Sequence, residues 1–243
     1  MREYREIPPP AALAEAIECC WTASPAQAGH RVVPDGCADI VFRVRDDRPE
    51  ILAVGAMTRF EDVADGAALG VRFRPGMWAH FLRVAADELT DQTIPLEDLW
   101  GARARSLRER VCDARSDEER ARILVETAMH AVGARTPVQR AIGAMEKRRG
   151  LVSLDWVARE AGLSARHFRR VAIRETGLSP KLLARILRFR HAESRVVAES
   201  GDHAGLAAEC GFADQAHMIA EFKRFAGRTP SVVPASAVTE EST

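Results

Sequence analysis

The period of the apolar positions changes once along the chain. Residues 38–44 and 51–54 are short apolar runs rich in β-branched side chains, and residues 69–74 alternate with period two, which predicts strands. Pro34-Asp35-Gly36 and Asp46-Asp47-Arg48-Pro49 supply turn residues between them, and Pro75-Gly76 closes the last run. Beyond that point Trp78, Phe81, Leu82 and Ala85 fall at i, i+3, i+4 and i+7, one face of a helix. Further helices are expected over 102–114 and 117–131, the second opened by Ser116 with Glu119 three residues on, a capping box. Arg135-Thr136-Pro137 marks a boundary, because Pro137 starts a helix but cannot continue one. From there to about residue 233 every segment reads as helix. The expected fold class is therefore α+β. A mainly-β domain with appended helices spans 1–135 (strands over about 15–75, helices over about 76–132), an all-α domain spans 136–234, and a disordered tail follows over 235–243.

The helical half repeats itself. Val157-Ala-Arg-Glu-Ala-Gly162-Leu-Ser164, Phe168 and Gly177-Leu-Ser179-Pro180 are followed by Leu206-Ala-Ala-Glu-Cys-Gly211-Phe-Ala-Asp214, Met218 and Gly227-Arg-Thr229-Pro230. Ser164 and Asp214, Gly177 and Gly227, and Pro180 and Pro230 are each 50 residues apart, while Gly162 and Gly211 are 49 apart. In each copy small apolar residues let a second helix approach, a glycine ends the first helix, and Ser164 or Asp214 caps the next. Ser179-Pro180 and Thr229-Pro230 then place a cap before a proline at the first helical position. Helix, glycine turn and capped helix, present twice, predict two helix-turn-helix units joined by a linker helix.

Each unit offers a face. Phe168, Val171 and Ala172 point inward, which leaves Arg166, Arg169 and Arg170, with His167 beside them, on the outer side near the helix start. A helix about 10–12 Å across fits the B-DNA major groove of about 12 Å, and arginine there bonds guanine O6 and N7 with both arms. In the second unit Met218 and Phe222 point inward, while Gln215, His217, Ala220 and Arg224 point out. Gln215 suits adenine N6 and N7, His217 can donate to a base or a phosphate, and Lys223 and Arg224 are placed for backbone contacts. Arg185, Arg188 and Arg190 lie on the linker helix and read either as a solvated surface or as further DNA contacts.

Composition sharpens this picture. The 243 residues have a formal net charge of zero, with 47% hydrophobic and 29% charged, as in a globular protein. Residues 1–135 hold 18 Lys and Arg against 23 Asp and Glu, whereas residues 136–243 hold 17 against 12, so an acidic half precedes a basic one. No apolar stretch is long enough to span a membrane, and Met1-Arg2-Glu3-Tyr4-Arg5-Glu6 lacks the apolar segment of a secretion signal. Five scattered cysteines suit a reducing cytoplasm better than a disulfide framework or a zinc ribbon. The seven histidines form no metal-binding spacing, and no catalytic or phosphate-binding motif is present, so neither metal nor cofactor is expected. Cys19-Cys20 leaves a thiol or DNA-repair enzyme fused to a DNA reader as the rival class, against two buried structural thiols.

Residues 137–233 resemble the double helix-turn-helix DNA-binding domain of the AraC/XylS family of bacterial transcription regulators. The resemblance is carried by Ala158, Gly162-Leu163-Ser164, Phe168-Arg169-Arg170, Gly177 to Pro180, Leu187 to Arg190, Ala208, Gly211-Phe212, Asp214, His217, Phe222-Lys223 and Gly227 to Pro230. It implies recognition helices that enter successive major-groove segments on one face of the duplex, with Arg166, Arg169, Arg170, Gln215 and His217 as base readers. Ala220 stands where the family commonly holds an arginine, and Val233-Pro234 where a Tyr-Arg closes the domain, which weakens the second unit as a reader. Arg31 to Phe42, Gly70 to Gly76 and Leu96 to Gly101 resemble a poorly characterised N-terminal domain found ahead of such readers. That implies a regulatory module, and Trp21, Asp35, Cys37, Asp39 and Arg72 are the candidates to line an effector pocket. The expected protein is a ligand-responsive transcription regulator and not an enzyme. Its expected partners are promoter DNA, RNA polymerase and a small-molecule effector, with a protein partner as the alternative regulator. It would act as a monomer or a homodimer.

Overall fold

The period-two runs pair as sheet. The computed structural model describes residues 4–23, 30–63, 66–129, 134–198 and 203–230. Its strands are β1 (Tyr4–Ile7), β2 (Ile17–Ala23), β3 (His30–Val32), β4 (Ala38–Arg45), β5 (Arg48–Val54), β6 (Glu61–Val63), β7 (Ala68–Phe73) and β8 (Thr93–Pro95). Six form one antiparallel sheet in the order β1-β2-β7-β4-β5-β8, and β3 pairs with β6. The turn between β4 and β5 needs only Asp46 and Asp47, both left-handed (φ 49° and 60°), the backbone of a two-residue hairpin. Arg48 and Pro49, read from sequence as turn residues, belong to β5.

Register decides what each face carries. Cys20, Val71, Ile40 and Ala53 lie in one row across four strands and enter a hydrophobic core. The helices α1 (Trp78–Leu82), α2 (Leu96–Trp100), α3 (Ala102–Asp113) and α4 (Asp117–Met129) cover that core with Trp78, Phe81, Leu96, Leu107, Val111 and Leu124. The adjoining row of Cys19, Arg72 and Asp39 faces the other way.

Two expectations are corrected. The helix starting at Trp78 stops at Leu82, because Arg83 turns left-handed (φ 61°), so Ala85 lies outside it and Ala86–Glu88 form a 3-10 turn. Strands also occur outside 15–75: β1 precedes that span and β8 follows α1, each a short edge strand of three or four residues. At the start of α4 the Ser116 hydroxyl accepts from the Glu119 N–H at 3.2 Å, and Glu119 reaches back to the N–H of Arg115 rather than that of Ser116.

The second core is all helix: α5 (Pro137–Lys147), α6 (Leu154–Glu160), α7 (Ala165–Thr176), α8 (Pro180–Ala198), α9 (His203–Glu209) and α10 (Gln215–Ala226). Pro137 is the first residue of α5, and Thr136 with Gln139 forms a full capping box in front of it. The repeat positions Val157, Ala158 and Ala161, and Leu206, Ala207 and Cys210, are all buried. Phe189 of α8 sits at the centre, edge-on to Phe222 (5.1 Å) and beside Phe225 (5.4 Å). Each such ring, wholly buried, contributes about 1.5–3 kcal/mol. The expected tail over 235–243 and Val233-Pro234 lie outside the described residues.

The two cores touch through polar contacts and close packing. Ala56 is buried in the second core. Gln139 Nε2 donates to the Gly76 carbonyl at 3.0 Å, and Arg74 pairs with Glu146. The Thr90 hydroxyl donates to the Gly177 carbonyl at 2.8 Å, and Arg31 donates to the Ala226 carbonyl at 3.1 Å. Among the described residues no helix is long and apolar enough to cross a membrane.

Candidate nucleic-acid interface

Each unit is built by its caps. Gly162 and Gly211 end α6 and α9 with positive φ (67° and 74°), a conformation that costs glycine little and turns the chain into the next helix. The Ser164 hydroxyl then accepts from the His167 N–H at 3.3 Å, and the Asp214 carboxylate accepts from the His217 N–H at 2.7 Å. Gly177 and Gly227 close α7 and α10.

In α7, Phe168 and Ala172 are buried, and Arg166, His167, Arg169 and Arg170 are all exposed. The three arginines form no hydrogen bond or ion pair with the described residues, so their guanidinium donors face solvent. In α10, Met218, Phe222, Phe225 and Ala226 are buried, and Gln215, His217, Lys223 and Arg224 are exposed. The His217 ring has a local task. Its Nδ1 accepts from the Ala213 N–H at 3.3 Å, and the ring stands edge-on to Phe212 at 5.5 Å. That bond leaves Nε2 as the nitrogen able to donate outward.

The linker arginines depart from the solvated surface that is one of their two sequence readings. Arg185 forks onto the carboxylate of Glu221 on α10 (2.8 and 2.6 Å), and Glu221 is buried. Arg190 pairs with Glu193, also buried, which Arg228 holds from its other oxygen at 2.9 Å. Arg185–Glu221 and Arg228–Glu193 fasten α8 to the second unit, while Arg190–Glu193 lies within α8. They are not legible in the sequence, because a glutamate bound for the interior looks like any other.

The five effector candidates converge on the sheet face away from α1 to α4. Gly70 makes room: a side chain there would come within 2.6 Å of the Trp21 indole, which lies across β7 and donates from Nε1 to Asp39 at 2.7 Å. Arg72 Nε donates to the same Asp39 oxygen at 3.2 Å, and its Nη1 lies 3.4 Å from Asp35 and 3.9 Å from Glu6. Asp35 in turn accepts from the Cys37 N–H at 2.8 Å. Burial pushes the Asp39 carboxyl above its usual range, opposed by the Arg72 charge beside it. The members satisfy one another, so the network stands as a polar brace across three strands. Tyr4, Glu6 and Glu18 belong to this neighbourhood and escaped the sequence reading, the first two because β1 is too short to register as a strand. A hollow of about 310 Å³ opens elsewhere, between α3 and α4, lined by Arg103, Ser106, Leu107, Arg110, Glu126 and Thr127.

Cys19 and Cys20 are both buried, and desolvation raises both thiols, Cys20 to about 11. Little thiolate forms near neutral pH at either, which disfavours a nucleophilic role. Among the described residues no cluster of three His, Cys, Asp or Glu is placed to hold a metal ion.

Comparison with known proteins agrees with the repeat. Residues 157–235 match the model of a helix-turn-helix domain family, and residues 5–95 match a domain of unknown function, DUF6597. No curated protein matches the chain. Among solved structures it is similar to ToxT from Vibrio cholerae O395, with 10% identity over 90% of this chain and 96% of that one, at a TM-score of 0.44. A second match is unsaturated fatty acid bound wild-type ToxT from Vibrio cholerae strain SCE256, with 9% identity over 99% and 97% and a TM-score of 0.43. Likenesses this distant carry no ligand or mechanism across to this chain.

Proposed function

We propose that the chain, which carries an AraC-type helix-turn-helix domain behind a domain of unknown function, is a sequence-specific double-stranded DNA-binding transcription regulator of the cytoplasm. The observation that carries this reading is the outer face of α7. Arg166, Arg169 and Arg170 stand exposed within its first two turns, on a capped helix whose opposite face is locked in the core. In this reading the basic half neutralises phosphates for general affinity, and the arginine stripe bonds guanine edges, each good pair contributing about 1–3 kcal/mol of discrimination. Gln215 reads adenine from the second unit, His217 donates from Nε2, and His167, Lys223 and Arg224 meet the sugar-phosphate backbone.

Residues 136–234 form the DNA-reading part and residues 1–135 the regulatory part, answering to a small molecule. Support for such control lies in the hydrogen bonds from Thr90 to Gly177 and from Arg31 to Ala226, which attach the N-terminal half to the far ends of α7 and α10. An effector that exchanged its own groups for those of Asp35, Asp39 or Arg72 would loosen the brace on which that half is built.

Selection of bound fragments from random duplex DNA at two salt concentrations tests the reading. The expected result is enrichment of one motif, with affinity falling steeply as salt rises. A pool that stays random, or binding indifferent to salt, would overturn it.

A further inference from the structure

The linker helix α8 holds three arginines close together, and two are spoken for. Both oxygens of Glu221 accept from Arg185, and Glu193 takes Arg190. Arg188 is half-buried, and no group among the described residues accepts a hydrogen bond from it; its Nε is closed off from solvent as well. Burial lowers its pKa, the Arg185 charge adds to that, and Glu221 only partly opposes them. Its Nε has given up water without gaining an acceptor, which is costly, while its two terminal nitrogens carry donors that no described group accepts.

Its position is informative. A side chain placed on Gly211 would meet Leu151 at 2.3 Å and the Arg188 Cδ at 3.4 Å. The Arg188 stem therefore lies where the two units join. On one side is the segment just ahead of Ser153, the cap of α6, and on the other the turn leading to Asp214, the cap of α10. Chain entering a helix-turn-helix and its second helix is where backbone contacts to DNA concentrate.

We propose that Arg188 is a phosphate site at the junction of the two units, its planar fork taking a backbone phosphate of the duplex between the segments faced by α7 and α10. The inference rests on the DNA-binding reading above. The geometry suits arginine: its two terminal nitrogens, with no acceptor among the described residues, offer a phosphate two N–H bonds. A phosphate carries no sequence information, so Arg188 adds affinity without selectivity.

The test compares Arg188→Met and Arg188→Lys with the wild-type full chain, by fluorescence anisotropy on the selected duplex and a scrambled one, over a salt series, with thermal melts alongside. Methionine keeps the stem and removes the charge. It is expected to weaken binding about tenfold on both duplexes, to reduce the salt slope by about one, and to leave Tm unchanged or higher. Lysine is expected to restore part of the affinity and the slope. Unchanged affinity and slope in Arg188→Met would overturn the proposal. So would a loss confined to the selected duplex, which marks a base reader, or weakening that follows a fall in Tm in both variants, which marks a structural role. Failure of the wild type to bind any duplex is a separate outcome, and it sinks the DNA-binding reading together with this one.

Discussion

Counted from their caps, α7 and α10 share one frame and differ in most of their outward residues. Ser164 and Asp214, His167 and His217, Phe168 and Met218, and Gly177 and Gly227 occupy equivalent places at a spacing of 50. Where α7 has Arg166, Arg169 and Arg170, however, α10 has Ala216, Ile219 and Ala220. The caps differ in charge too: a neutral serine opens α7, and an anionic aspartate opens α10 at the end a phosphate would approach. Val171, half-buried in α7, is matched by Glu221, buried in α10 and tied to the linker. The frame is set by caps, glycines and core positions, and these tolerate two different tasks. The first unit presents charge outward, while the second spends a charged residue inward to anchor itself.

That contrast can be broken most forcefully at the anchor. Arg185→Met leaves Glu221 buried and unpaired, and is expected to destabilise the chain by about 3–5 kcal/mol. Adding Glu221→Val, the residue of the first unit, is expected to recover most of that loss, measured by urea denaturation. A stable single variant would show that the pair anchors nothing.

A smaller effect separates the two faces. Arg169→Ala is expected to cost about 1–3 kcal/mol on the selected duplex and to relax preference at one base step. Gln215→Ala should cost less than half as much, as anisotropy competition would record. Equal losses would make the units equivalent readers, and an Arg169→Ala loss shared by every sequence would make Arg169 a phosphate contact.

A last effect, seen only as a dependence on pH, concerns Glu175 in the last turn of α7, whose counterpart in α10 is Phe225. Burial raises its carboxyl to about 7, against a hydrogen bond from Thr136 that lowers it. The folded chain holds this proton more tightly than the unfolded chain, so stability from it is full below about pH 4.5 and is lost as pH rises through about 7. Wild type should therefore lose Tm relative to Glu175→Gln between pH 5 and 8. Parallel Tm curves would show that the carboxyl titrates normally.

Much of the second core was legible in the sequence because its signals are local. A cap, a glycine turn and an inward stripe each lie within a few residues, and the repeat states them twice. The sheet was legible in part: the runs behind β4, β5 and β7 alternate or are richly β-branched, whereas β1 and β8 are short and gain their pairing from neighbours. Trp21, Asp35, Cys37, Asp39 and Arg72 were singled out one by one, but only register brings Cys19, Arg72 and Asp39 into one row and lays Trp21 over Gly70. The roles of Arg185, Arg188 and Arg190 depend on which glutamates go inside, and that is settled by packing between distant helices. His217 was read by residue type, whereas its ring nitrogen is committed by the geometry of its own turn.

The hydrogen bonds from Thr90 and Arg31 end on the closing carbonyls of two different helices, yet both donors come from the same half of the molecule. Any disturbance of that half pulls two levers together. If the chain reads DNA as proposed, tandem reading is expected to switch in concert, and an operator cut to a single half-site to report the same on and off states as the whole, only more faintly.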